Sequence, residues 1–212
     1  MEIISTNIGE PVVIEWRGQK LLTGIFKYPV DKSIYLGKGN VGNDHVIDQR
    51  FHGGADKACY LYSADHYSFW SRQYPDVKLQ WGMFGENLTV KGLDESLIHI
   101  GDRYKIGTAV IQVTQPRQPC FKLGIRFNDQ KVVSDFWGLS FSGVYVRVLE
   151  EGVVSTGDKI VLIYRYPQSF TVAEVFSFFS SGKNNHESIR LSISDPNLAA
   201  SCRRDLEKLL NN

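Results

Sequence analysis

Short apolar runs separated by turn residues make up the pattern of the chain as far as residue 164. The runs are rich in β-branched and aromatic residues and are bounded by glycine, proline or polar pairs, which is typical of β-strands. They predict strands at 2–7, 11–16, 21–28, 58–62, 87–90, 97–100, 103–106, 109–113, 143–149 and 159–164. Helical stretches are predicted between them only at 63–74 and 129–137. Because most neighbouring strands have no helix to cross over between them, the pattern predicts a mainly β fold, an antiparallel barrel or sandwich.

The periodicity changes beyond the last predicted strand. Apolar side chains at positions i, i+3, i+4 and i+7 predict an amphipathic helix there, namely Val172, Val175, Phe176 and Phe179. Asp195 followed by Pro196 is the pattern of a helix N-cap with proline in the first turn, and it predicts another helix beyond. Residues 186–194 supply a third helix, although their apolar positions alternate. The chain therefore divides into a β-barrel domain, 1–164, and a C-terminal three-helix domain, 165–212.

Composition and charge are those of an ordinary soluble protein. Apolar residues make up 42% and charged residues 22%, and the net charge is +1, so no overall field favours nucleic acid or a membrane surface. No apolar run approaches the roughly 20 residues that cross a bilayer. The first residues carry an early acid and no basic, apolar leader. We therefore expect a cytoplasmic protein with neither nucleic-acid nor membrane partners.

The cysteine and histidine patterns argue against structural metal or disulfide frameworks. Cys59, Cys120 and Cys202 are odd in number and far apart, so they predict neither a set of disulfides nor a paired zinc or redox motif. Free thiols favour a reducing compartment. The histidines have none of the spacings of a zinc site, and no zinc is expected.

The run 37–42 matches the GxGxxG pattern of dinucleotide-binding loops, but we reject that interpretation. The pattern binds a pyrophosphate only when a helix begins at the glycines. Residues 43–50 show no helical periodicity, and the run lacks the Gly-Lys-Ser/Thr ending of a nucleoside-triphosphate loop. A flexible loop is expected instead, without an NAD site.

Two segments are candidates for binding a polar ligand. In the first segment, Arg50 and His52 precede the glycine pair that begins at Gly53. The backbone N–H groups of paired glycines can approach an anion closely and cradle it. Arg50 and Lys57 add donors suited to phosphate or carboxylate. A plain turn with solvated charges explains the same residues, so both interpretations stay open. Asn87 likewise either binds a polar ring edge or closes a turn.

Cys120 is the candidate reactive group. Pro116 ends the preceding strand, and Pro119 stiffens the turn directly before the thiol. Arg117 and Lys122 flank it, and cationic neighbours lower the pKa of a thiol, whose thiolate is a nucleophile and a ligand for soft metals. The alternative is a small buried apolar residue, as lone cysteines commonly are.

Together these segments resemble a known family. The segments RFHGGADKA (50–58), FGENLTV (84–90) and IGDRYKIGTAVIQVTQPRQPC (100–120), followed by the helical tail, are similar to the MOSC domain, the molybdenum cofactor sulfurase C-terminal domain, in its stand-alone YiiM-like branch. The resemblance covers nearly the whole chain. It implies a MOSC-type β-barrel with a few short helices and a small all-α C-terminal appendage, in agreement with the pattern.

The resemblance also implies roles for individual residues. Cys120 matches the family's invariant cysteine, which is either a ligand to molybdenum in a pterin cofactor or a persulfide carrier. Asn87 matches the asparagine of the FGEN motif, and Arg117 the arginine of the PRxPC motif. Further cofactor contacts are expected, from chemistry and from proximity to these motifs, at Arg50, His52, Gly53, Lys57 and Lys122.

One position departs from the branch's pattern. Asn43-Asp44 stands where the branch has Gly-Asp ahead of its His-Gly-Gly motif. Because asparagine tolerates left-handed backbone geometry, we expect the turn to survive.

Three functions follow from these observations. The first is an oxidoreductase that binds the molybdenum cofactor through Cys120 and reduces N-hydroxylated compounds such as hydroxylaminopurines, with electrons from a separate reductase. The second is a sulfur carrier with a persulfide on Cys120, loaded by a separate cysteine desulfurase because the family's PLP-binding desulfurase domain is not in this sequence. The third is a binding module that holds an anion on the loop 50–57. A homodimer is compatible with each.

Overall fold

The computed structural model of the chain describes residues 1–47, 53–181 and 185–211. Within these ranges the strands are β1 (Glu2–Gly9), β2 (Val12–Trp16), β3 (Gln19–Thr23), β4 (Lys27–Pro29), β5 (Ile34–Leu36), β6 (Cys59–Ser63), β7 (Leu88–Lys91), β8 (Arg103–Ile106), β9 (Ala109–Pro116), β10 (Val144–Glu150), β11 (Gly152–Val154) and β12 (Ile160–Tyr164). The helices are α1 (Tyr67–Gln73), α2 (Phe121–Phe127), α3 (Lys131–Trp137), α4 (Val172–Ser181), α5 (His186–Ser194) and α6 (Ala200–Leu210). None of these helices is long and apolar enough to cross a lipid bilayer.

Eight strands form one sheet, in the order β12-β8-β9-β10-β6-β7-β1-β4. Neighbours are antiparallel except β6 and β7, which are parallel and joined through α1, as a parallel pair requires a crossover. The N–H of Ile160 donates to the carbonyl of Met1 at 3.0 Å, and that of Ile3 donates to Asp158 at 3.0 Å. The sheet therefore curls until β1 meets β12 at one corner, while its strand order stays open. The prediction of a mainly β fold with C-terminal helices is confirmed.

Buried side chains form two clusters. One is mainly aliphatic and joins the sheet to α4, α5 and α6. The other is aromatic and joins α1, α2 and α3 to β6 and β10. Trp70 on α1 is fully buried and its indole N–H donates to the hydroxyl of Tyr62 at 2.7 Å. The aromatic residues of α1 thus pack against the sheet, as their helical spacing predicts.

Three predicted elements differ from the structure. The predicted strand 21–28 is two strands, β3 and β4, separated at Gly24. The predicted strand 97–100 is wrong, because this segment forms turns and pairs only through an isolated bridge from His99 to Thr171. The last helix begins at Ala200 rather than at Asp195, because the carboxylate of Asp195 accepts the N–H of Asn197 at 2.8 Å and closes a turn after α5.

The C-terminal helices dock on the strand that leads to the candidate site. The N–H of Ala199 donates to the carbonyl of Thr114 on β9 at 3.1 Å. The first turn of α6 also receives a carboxylate from another segment, because Asp56 accepts the N–H of Ala200 at 3.2 Å. Asp56 in turn pairs with Arg147 on β10 at 2.8 Å. The division at residue 164 remains a prediction, but the appendage contacts β9 directly.

Candidate functional site

Cys120 lies between the end of β9 and the start of α2. Its backbone is extended, with φ −133° and ψ 170°, and its carbonyl accepts the N–H of Leu123 at 2.9 Å. Cys120 is partly exposed, whereas Cys59 and Cys202 are buried. Burial raises the pKa of Cys202 to about 12 and also raises the pKa of Cys59, which keeps both thiols protonated and inert. Cys120 is therefore the thiol that a solute can reach.

The thiol faces a cleft whose empty space, together with the open solvent at its mouth, is about 490 Å³. Residues 23–25 and 45–47 form part of its wall, and Tyr60 and Tyr145 also line it. Arg117 and Lys122 line the same cleft as Cys120, so the structure brings together the three residues that the sequence places around the double-proline turn. The buried-cysteine alternative is not what the structure has.

Arg117 is a buried cation at this cleft. It is 3% exposed, and its guanidinium carbon lies 5.7 Å from the ring centroid of Tyr60 and 5.2 Å from that of Phe136. Its Nη1 has no hydrogen-bond partner among the described residues. Burial raises the pKa of Tyr145 to about 12, and the positive charge of Arg117 opposes that rise. A buried, unsatisfied N–H is costly and favours an acceptor from a ligand.

Asn87 is buried and does not line the cleft, and its side chain is bound to protein groups. Its Oδ1 accepts the N–H of Tyr60 at 3.2 Å, and its Nδ2 donates to Asp44 at 3.0 Å. Asp44 also accepts the N–H of Gly9 at 2.9 Å and pairs with the ammonium group of Lys27. Contact between Asn87 and a cofactor remains a prediction; the contacts observed hold Asp44 in place.

The turn before Asp44 keeps its left-handed backbone although Asn43 stands where the pattern has glycine. Asn43 has φ 60°, in the left-handed region that asparagine tolerates. The carboxylate that follows it reaches its partners, so this expectation is confirmed.

Glu86 of the FGEN motif was not singled out from the sequence, yet it holds the motif together. Its carboxylate accepts the N–H groups of Gly82 at 2.7 Å and Phe84 at 3.1 Å, and the hydroxyls of Tyr67 at 2.5 Å and Thr89 at 2.8 Å. Burial raises the pKa of Glu86, although these donors favour its ionised form. The sequence signal that could have identified Glu86 is a carboxylate inside a glycine-containing turn. Such turns leave backbone N–H groups in need of an acceptor.

The remaining residues predicted to contact a cofactor either do not line the cleft or lie at or beyond the edge of the described residues. Lys57 does not line the cleft; its ammonium lies 5.8 Å from the ring centroid of Tyr145, and burial near α6 lowers its pKa. Gly53 is the first described residue after a gap, and Arg50 and His52 lie outside the described residues. Their roles remain predictions.

The glycine-rich run 37–42 forms a tight turn. The N–H of Gly37 donates to the carbonyl of Asn40 at 2.9 Å, and Leu36 bridges Val41. No helix follows in residues 43–47, the last ones described before the gap. The glycines thus lie in a turn, and the absence of an NAD site remains a prediction. In the described part of the chain, no three His, Cys, Asp or Glu side chains are grouped to hold a metal ion.

The helix after Cys120 fixes the opposite wall of the cleft. Arg126 on α2 donates to the carbonyl of Lys27 at 2.6 Å and also contacts the carbonyl of Ile25. At the start of the same helix, the ring of Phe121 stacks on Trp16 with centroids 4.9 Å apart. The wall 23–25 is thus tied to the segment that carries the thiol.

Replacing Gly24 with alanine is expected to destabilise this wall. A Cβ at this position would overlap the carbonyl oxygen of His45, which also lines the cleft. Overpacking of this kind typically costs about 1–3 kcal/mol, so the free energy of unfolding in urea should fall by that amount. Gly39→Ala is the matched control, because a Cβ there meets no atom within 4 Å. Equal stability of the two variants would contradict the prediction.

Comparison with known proteins identifies similar sequences and structures. Residues 48–161 match the MOSC domain. The chain is 39% identical over 190 residues to uncharacterized protein YflK of Bacillus subtilis, covering 90% of this chain and 83% of that protein. It is 33% identical over 156 residues to a protein named reductase from Gibberella moniliformis, covering 71% of this chain but only 28% of that longer protein. The crystal structure of YiiM from Geobacillus stearothermophilus has a TM-score of 0.83 at 33% identity, covering 99% of this chain and 98% of that one.

Proposed function

Because the chain belongs to the MOSC-domain family and to its YiiM-like branch, we propose that it binds a molybdenum cofactor in the Cys120 cleft and reduces N-hydroxylated compounds. The substrates would be small molecules such as hydroxylaminopurines, whose planar rings suit a cleft lined by aromatic side chains. A reducing cytoplasm would keep the partly exposed thiol from forming a disulfide.

The observation that supports the proposal is that an accessible thiol lines the same cleft as a buried arginine whose Nη1 has no partner among the described residues. Thiolate is a soft ligand that suits molybdenum, and Cys120 opens into the cleft. The pterin cofactor carries an anionic phosphate, and the Nη1 of Arg117 has no acceptor among the described residues. Lys122 adds a second positive charge on the cleft lining. The donor set therefore fits the group.

Bound molybdenum would supply two-electron redox chemistry, and the residues of this chain would bind and orient the reactants. Cys120 would hold the metal, Arg117 and Lys122 the anionic end, and Tyr60 and Tyr145 the flat faces of the bound rings. Converting an N-hydroxyl group into an amine consumes two electrons and two protons and releases water. The electrons would come from a separate reductase. The fungal relative named reductase supports a separate source of electrons. The matched segment is only 28% of that protein, so most of its chain lies outside the match.

Metal and pterin analysis tests the proposal. The protein would be purified from a bacterial host that makes the cofactor and from an isogenic strain unable to make it. We expect molybdenum and pterin to copurify only from the first host, and the loaded protein to reduce hydroxylaminopurine with dithionite-reduced viologen. Protein from the first host that lacks molybdenum and carries a persulfide on Cys120 would instead support the sulfur carrier. A protein with neither molybdenum nor a persulfide on Cys120 would support the anion-binding module.

A further inference from the structure

Lys27 is a buried ammonium group on the lining of the cleft. The residue is 5% exposed, and it lines the cleft together with Cys120 and Arg117. It opens β4, and the next residue, Tyr28, points to solvent with 47% exposure. Burying an ammonium group costs several kcal/mol, and an apolar side chain would fill the same space without that cost. A buried lysine on a cleft that an accessible thiol also lines is therefore a candidate for chemistry.

Three distant segments converge to hold its partner. The carboxylate of Asp44 contacts the Nζ of Lys27, and the same carboxylate is fixed by Gly9 at 2.9 Å and by Asn87 at 3.0 Å. Asn87 is fixed in turn by the N–H of Tyr60. Among the described residues, Asp44 is the only acceptor found for the three N–H groups of Lys27. In this arrangement one ammonium N–H of Lys27 donates to Asp44, and the others have no acceptor among the described residues.

We propose that Lys27 is the proton donor of the cleft and that Asp44 and Asn87 are its positioning residues, an assignment that rests on the proposed reduction. When an N-hydroxyl group becomes an amine, the N–O bond breaks, two electrons from the external reductant pass to nitrogen, and two protons are taken up. One proton goes to nitrogen and the other to the leaving hydroxyl, which departs as water. Lys27 gives its Nζ proton to that hydroxyl oxygen. The neutral side-chain amine of Lys27 then regains a proton from solvent.

The electrostatics of the group are consistent with this role. Burial lowers the pKa of Lys27, and the charge and hydrogen bond of Asp44 oppose the effect. The charge of the buried Glu86 carboxylate acts in the same sense as that of Asp44, but burial is the largest effect. A general acid works best when its pKa approaches the working pH, so a lowered value strengthens the ammonium group as a donor.

Lys27→Arg separates proton donation from charge. Arginine retains a positive charge for Asp44 but does not release its proton near neutral pH. In the molybdenum-loaded protein with reduced viologen and hydroxylaminopurine, we expect kcat to fall by about 100-fold with little change in KM, and the alkaline fall of kcat to disappear. Lys20→Arg, on the exposed hairpin strand β3, is the control and should keep the wild-type kcat. A Lys27→Arg variant with wild-type kcat and pH profile would overturn the assignment.

A second measurement on the wild-type protein needs neither cofactor nor variant. Trace acetylation of amines across pH, followed by mass spectrometry, gives the ionisation of individual lysines. We expect the Lys27 amine to become reactive at lower pH than that of Lys20, and equal or later reactivity would overturn the assignment. A molybdenum-loaded wild-type protein that reduces no N-hydroxylated substrate would instead overturn the proposed function, which keeps the two failures distinct.

Discussion

Replacing Cys120 with serine is expected to strip molybdenum and pterin from the purified protein and to abolish the reduction of hydroxylaminopurine. A serine hydroxyl stays protonated near neutral pH and is a hard oxygen ligand, so it replaces thiolate poorly at a soft metal. Outer-shell residues alone are commonly worth about 10- to 100-fold in metal affinity or activity, so losing the ligand itself should cost more than about 100-fold. Elemental analysis and single-turnover assays measure the two effects.

Cys202→Ala is the matched control for this substitution. Cys202 is buried on α6, and burial raises the pKa of its thiol to about 12, so it is unsuited to bind a metal. The control should retain its molybdenum, while Cys120→Ser loses it. Molybdenum retained by Cys120→Ser at the wild-type ratio would show that another group holds the metal, and the proposed site would then be wrong.

Local periodicity was enough to predict most of the sheet. β9, β10 and β12 fall within a few residues of the predicted strands because each shows a continuous apolar or alternating run. β5 and β11 are three residues each, too short to show a period, and they pair with each other between Leu36 and Gly152. Such a contact depends on tertiary structure, so no local pattern could reveal it.

The segment 97–100 shows the opposite error. Ile98 and Ile100 alternate with polar residues as in a strand, and both are buried. Their backbone groups bond instead to the start of the C-terminal appendage, where Ile100 donates to Phe170 at 2.9 Å and Val172 donates to Ile98 at 2.8 Å. Alternating apolar and polar residues indicate that one side of a segment is buried. They do not indicate whether its backbone pairs with a strand.

The candidate site was predictable only where its residues are close in sequence. Arg117, Cys120 and Lys122 lie within six positions, so one stiff turn places them on the same cleft. Lys27 was not singled out, because a lysine in a short strand has the pattern of a solvated residue. Its burial depends on Asp44, 17 positions away, and on Asn87, 43 positions beyond that, which only the folded chain brings together.

Removing Asp44 is expected to have the largest effect on stability. Asp44→Ala leaves the ammonium of Lys27 buried without its paired carboxylate, leaves the N–H of Gly9 without its acceptor and removes the nearer of two acceptors of the Asn87 amide. Breaking a buried pair by removing one partner costs about 3–5 kcal/mol, and we expect that loss in the free energy of unfolding measured with urea. Lys208→Ala, which breaks an exposed pair with a 71% exposed lysine, should cost at most about 1 kcal/mol.

A double variant decides whether the loss comes from the uncompensated charge. Lys27→Met combined with Asp44→Ala removes both charges and leaves an unbranched apolar side chain in the lysine's space. Replacing a whole buried pair by apolar groups is often neutral or even stabilising, so the double variant should be more stable than Asp44→Ala by about 1–4 kcal/mol, although it still lacks the carboxylate that accepts from Gly9 and Asn87. Additive losses from the two substitutions would mean that the pair holds the cleft wall by its contacts alone. Recovery of stability together with lost reduction would mean that the chain retains a costly buried lysine for its proton rather than for its fold.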